Sequence, residues 1–128
     1  QPFIDFVAIA TANTNRDGTG TLGTVATGPS TTAADAVGKR INKVTVKAIA
    51  TTTAGVIRFY VSNDGGTTKL LIAERLVAAI TPSATVEAWS AVIEELAGLI
   101  LPGSSNGVLY ASTHNAETFN VIAETGTL

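Results

Sequence analysis

The chain has 128 residues, neither cysteine nor methionine, a net charge of −2 and only 14% charged residues. That length suits a single domain, 1–128, able to bury a core without covalent staples. The missing cysteine excludes a disulfide framework, a thiolate metal site and a cysteine nucleophile. So small a net charge gives no argument for a nucleic-acid or membrane partner.

Pro2 to Ala10 alternates Phe3, Asp5, Val7 and Ile9 with Ile4, Phe6 and Ala8. Side chains point to opposite faces of a strand in turn. Both faces here are mostly apolar, so this first strand is expected to be central or covered by a partner. It carries an acid and no basic lead, unlike an intact signal peptide. A chain starting at Gln1 without methionine suggests a processed end or residues preceding it. Ala12 to Gly20 is a loop. Asn13, Asn15 and Asp17-Gly18 match the opening of a calcium loop, but Thr24 stands where the bidentate Glu belongs. A turn held by Asn and Asp side chains is the preferred reading, with no metal.

Thr21 to Thr27 is a short strand. Gly28 to Val37 has turn chemistry, with one helical turn conceivable at Thr32–Ala36. Lys39 to Ala50 is a strand: Val44, Val46, Ala48 and Ala50 face one way, Lys43, Thr45, Lys47 and Ile49 the other. The basic group Lys39, Arg40, Lys43 and Lys47 could grip an acidic partner. It lacks the interleaved aromatics of a nucleic-acid surface, and a solvated face is preferred.

Gly55 to Val77 is the strongest local signal. Ile57, Phe59 and Val61 share one face of a strand; Val56, Arg58 and Tyr60 share the other. Asn63-Asp64-Gly65-Gly66 supplies a reversal. The return strand sets Leu70, Ile72, Glu74 and Leu76 against Leu71, Ala73, Arg75 and Val77. Thr85 to Ile93 is expected to be a strand, with a helix over Val86–Leu96 as the alternative. Gly98 to Leu101 is a brief strand, Asn106-Gly107 a turn, and Val108–Thr113 and Thr118–Ala123 the last two strands. The tail Thr125–Leu128 is expected to fray. About eight strands with Gly, Pro and Asn punctuation and no clear helix predict an all-β antiparallel sandwich of jelly-roll type.

Charge is unevenly spread: all eight basic residues lie at or before Arg75, and five glutamates follow. The chemistry available is sparse. His114 is the one histidine, and a triad would have to join it to Ser112 and Glu117. A histidine in a turn is the preferred reading. One histidine without cysteine leaves no usual zinc set. Adjacent Glu94 and Glu95 diverge on a strand and do not form a glycosidase pair. GTGTLG at 18–23 lacks the Lys-Ser/Thr of a phosphate loop. No catalytic, cofactor-binding or metal residue is assigned, and no enzymatic activity is expected. A recognition module would need Trp89, Tyr60 and Tyr110 exposed in one groove.

Three stretches, ANTNRDGTGT at 12–21, TTTAGVIRFYVSNDGG at 51–66 and ASTHNAETFNVIAETG at 111–126, resemble small all-β structural proteins of tailed bacteriophages. The resemblance implies a virion component, such as a capsid decoration (cement) protein or a head- or tail-attached protein, assembled in the bacterial host cytoplasm. It implies the major capsid protein or another virion protein as partner, homo-oligomers, often trimers, and no cofactor. The alternative is a carbohydrate- or host-recognition module on a spike, fibre or tail.

Overall fold

The computed structural model describes residues 2–29 and 37–128. The helical turn conceivable at Thr32–Ala36 lies outside them. Nine strands run through the described residues: β1 (Pro2–Ile9), β2 (Gly23–Thr27), β3 (Gly38–Ala48), β4 (Gly55–Ser62), β5 (Leu70–Val77), β6 (Ser90–Val92), β7 (Ile100–Pro102), β8 (Val108–Thr113) and β9 (Phe119–Thr127). They form two antiparallel sheets. The first has the order β1-β9-β3-β6, with β7 also on β3; the second has the order β2-β8-β4-β5.

The pairings nest around one hairpin. β4 pairs with β5, β3 with β6 and β7, β2 with β8, and β1 with β9. A long two-stranded ribbon folded in this way rolls into two sheets when β8 pairs with β4 and β9 with β3. This is jelly-roll topology, and the Gly55–Val77 hairpin is its innermost turn.

The core is built from alternate residues of the two inner faces, as sheet packing requires. Ile41, Val44, Val46, Phe119, Val121 and Ala123 come from the first sheet; Ile57, Phe59, Leu109 and Ala111 come from the second. Ile93, Leu96 and Leu101 close one flank. Trp89 packs edge-on to Phe119, ring centroids 5.8 Å apart and planes at 89°, a favoured aromatic geometry.

Several expectations change. Among the described residues β1 pairs with β9 alone and is an edge strand, so of the two expectations for it the central position is excluded. The Thr85–Ile93 strand contracts to Ser90–Val92, and Val86–Leu96 contains only a 3-10 turn at Glu94–Leu96. Trp89 and Ile93 are buried and Ala91 packs against the core. The tail does not fray. β9 runs to Thr127 between β1 and β3, Thr125 is fully buried, and the Leu128 amide donates to the Gly38 carbonyl. Partners on both sides satisfy the backbone there, which outweighs the polar composition.

Bulges change two faces. Tyr60 pairs with Leu71 while Phe59 pairs with Ala73, so Ile72 is extra. Leu71 therefore joins Glu74 on the outer face, because one added residue flips the alternation. A second shift between Ile41 and Lys43 lets Ile41 and Val44 both point inward.

Positive φ at Gly65 and Gly66 reverses the β4–β5 loop. Between β7 and β8 the reversal falls on Ser104 and Ser105, at φ 61° and 56°, not on Asn106-Gly107. The Asn106 amide closes that turn on the Gly103 carbonyl. Two successive positive φ values define a type I′ turn.

Candidate interaction surface

The outer face of the second sheet is roofed by the chain's own 12–21 loop. Asn13, at the start of that loop, is buried. Its side-chain amide donates to the Thr19 and Thr21 carbonyls at 3.0 and 2.9 Å, and its oxygen accepts from the Asn15 amide at 3.0 Å. Asp17 accepts from the Thr19 hydroxyl and from the Thr19 amide, which together hold its carboxyl below the usual range. One oxygen each of Asn13 and Asp17 thus accepts hydrogen bonds within the loop, as Asn and Asp side chains commonly do in turns.

Under this roof lie Arg58 and Tyr60, both buried although they point away from the core. Tyr60 donates its hydroxyl to the Asn15 carbonyl at 2.8 Å, and burial raises its pKa. Arg58 donates through Nη1 to the Asn13 carbonyl at 3.2 Å, through Nε to Glu74 at 3.1 Å and through Nη2 to His114 Nδ1 at 3.3 Å. A guanidinium only donates, so Nδ1 must accept and His114 carries its proton on Nε2. Glu74 also takes Arg16 at 2.8 Å. Hydrogen bonding from Arg16, with Arg58 beside it, holds the Glu74 carboxyl below its ordinary value.

Ser112, His114 and Glu117 do not assemble. His114 is engaged by Arg58, and Glu117 accepts from the Thr53 amide and hydroxyl at 2.9 and 2.7 Å. Ser112 Oγ is buried with no hydrogen-bond partner among the described residues. The three aromatics also separate. Trp89 is in the core, Tyr60 is under the roof, and Tyr110 lies below the Lys69 ammonium, 5.4 Å from the ring centre. They do not form one groove. The basic group divides: Lys39 pairs with Asp5 at 2.9 Å and Lys47 donates to the Ala88 carbonyl at 3.0 Å, while Arg40 and Lys43 are exposed.

What remains open is the outer face of the first sheet and the β1 edge. In register, Ile4 lies beside Glu124 and Lys43, Phe6 beside Ile122, Thr45 and Val92, and Ala8 beside Asn120 and Lys47. Phe6 is 73% exposed and Ile4 65%. Shallow apolar hollows follow this row, between Ile4, Phe6, Asn120 and Ile122. The second sheet's edge, β5, exposes Leu70 and Leu76 as well, but it carries Glu74, Arg75 and a bulge. The apolar pattern of β1 was legible in the sequence; its place at an edge was not.

No family model matches this chain, and no curated protein does. A chain of the T13 IBDV viral particle is similar in fold at a TM-score of 0.40 and 12% identity, over 98% of this chain and 31% of that one. The present chain thus spans about a third of that particle's subunit. Among the described residues no helix is long and apolar enough to cross a membrane.

Proposed function

We propose that this chain is a non-enzymatic structural component of a bacteriophage virion, and within that role a capsid decoration protein that binds coat subunits and stabilises the shell. The observation that carries the reading is the uncovered apolar row on β1 and β9, at the long edge of a jelly roll. A single small domain rarely leaves such a row in water without a partner. Main-chain pairing at a sheet edge joins neighbouring copies with little demand on side chains, and the apolar row on the outer face beside it is left for coat subunits. Weak contacts of that kind become firm when many copies engage one symmetric shell. The fold itself hosts many functions; the exposed apolar row and the resemblance of the three sequence stretches support this role. Trp89 lies in the core and Tyr60 under the roof, so they do not join Tyr110 in the single groove that a recognition module would need.

The test is uptake by empty coat shells. The purified protein is sedimented with and without shells, and shell melting is followed by scanning calorimetry. Saturable co-sedimentation and a higher shell melting temperature are expected. A protein that stays in the supernatant and leaves the shells unchanged overturns the proposal.

A further inference from the structure

Edges of β-sheets invite pairing with other chains, and folded proteins blunt them with short strands, bulges or charges. Three edges here are blunted. β2 has five residues and a shift in register after Thr24. β6 and β7 have three residues each. β5 has its bulge and the charged pair Glu74 and Arg75. β1 has eight residues, pairs residue for residue with β9 without a bulge, and has one charged side chain, Asp5. That charge is already neutralised by Lys39 at 2.9 Å.

We propose that β1 pairs antiparallel with β1 of a second copy of this chain, about a two-fold axis at Phe6. The occupant is a second copy because the strand complements itself in this register. Phe6 meets the partner's Phe6, and the large Ile4 meets the small partner's Ala8 on both sides of the axis. The apolar row Ile122–Phe6 then continues without a break into the second molecule. Asp5 falls opposite the partner's Val7. A register one residue shorter about Asp5 would set two carboxylates face to face, which is unfavourable. The pairing is isologous and closes, so it makes a dimer and not a fibre.

The area sets the strength. Phe3, Ile4 and Phe6 are 43%, 65% and 73% exposed. With about 150–250 Å² on a large side chain, covering them removes about 300 Å² per copy before the backbone edge is counted. The total lies below the ~1,200 Å² of a standard interface. The dimer is therefore weak and reversible in solution, and a shell that repeats it holds it in place. The purpose of the pairing rests on the structural-component reading; the pairing itself does not.

Two measurements test it. Sedimentation equilibrium of the full chain should show a concentration-dependent dimer, and Phe6→Lys should weaken it at least 10-fold with no change in melting temperature, since Phe6 is largely exposed. The chain has no cysteine, so single-cysteine variants give clean crosslinks. Residues directly opposite on antiparallel strands have Cα atoms within disulfide range. Phe6→Cys should oxidise to a homodimer, Leu76→Cys should not, and Ile4→Cys should crosslink to Ala8→Cys in preference to itself. A chain monomeric at every concentration reached, a dimer indifferent to Phe6→Lys, or crosslinking through Leu76→Cys overturns the proposal. Shell uptake by wild type and Phe6→Lys separates the two readings: a dimer that ignores shells defeats only the virion role, and a monomer that binds them defeats only the pairing.

Discussion

At the scale of single residues, the most consequential side chain is one whose burial could not be read from its own strand. Arg58 alternates outward and looks solvated, yet the 12–21 loop covers it and three of its nitrogens find partners. Loss of a buried, multiply bonded cation leaves the Asn13 carbonyl and packing volume uncompensated. Arg58→Ala should cost about 2–4 kcal/mol in urea unfolding, and Glu74→Gln much less, because Glu74 stays partly in water. Asn13 gives a sharper test. Asn13→Ala should cost about 2 kcal/mol for three hydrogen bonds. Asn13→Asp should cost more at neutral pH, since an oxygen would face the Thr19 and Thr21 carbonyls. That variant's folded carboxyl is raised, so its penalty should grow as pH rises through about 4 and shrink below it. Asp64 behaves in the opposite sense. The Thr68 amide and the Ser62 hydroxyl hold its pKa at about 2. Its contribution is complete above the unfolded value near 4 and is lost as pH falls toward 2. Asp64→Ala should flatten the pH dependence of stability in that window, followed by melting temperature.

At the scale of elements, the hairpin and the alternating faces of β3 were legible, because period-two patterning and turn residues act locally. The misread elements depend on what lies beside them in space. Thr125 is polar and near the end of the chain, but β1 and β3 flank it, and it is part of the ladder. Removing residues 124–128 should therefore lower the melting temperature substantially instead of trimming a loose tail. Ile72 shows the same limit, since a bulge depends on the partner strand's register. The candidate surface divides in the same way. The double apolar pattern of β1 was visible, while the roof that hides Tyr60 was not. The β7–β8 turn carries a local conflict that the sequence does not announce. Ser104 and Ser105 sit in the left-handed region, where a side chain costs on the order of 1 kcal/mol. Replacing them by Asn-Gly, the pair suited to a type I′ turn, should raise stability by about 0.5–1 kcal/mol in urea unfolding.

At the scale of the whole molecule, nested pairing couples the earliest and latest residues: Pro2 lies opposite Gly126, and Ile9 opposite Phe119. Closing such distant pairs is entropically slow, and a fold dominated by them is expected to form in milliseconds to seconds. Substitutions in the β4–β5 hairpin should slow folding in stopped-flow refolding, while those in β1 should chiefly speed unfolding. The same closure has a practical side. With β1 and β9 side by side, the two ends of the described chain emerge together at one corner of the sandwich. A short flexible linker could join them, and the exposed Ser104–Asn106 turn offers a place to open new ends. Cargo is equally well carried at Pro2 or Leu128, because a peptide fused beside either strand end leaves from the same corner and in the same direction.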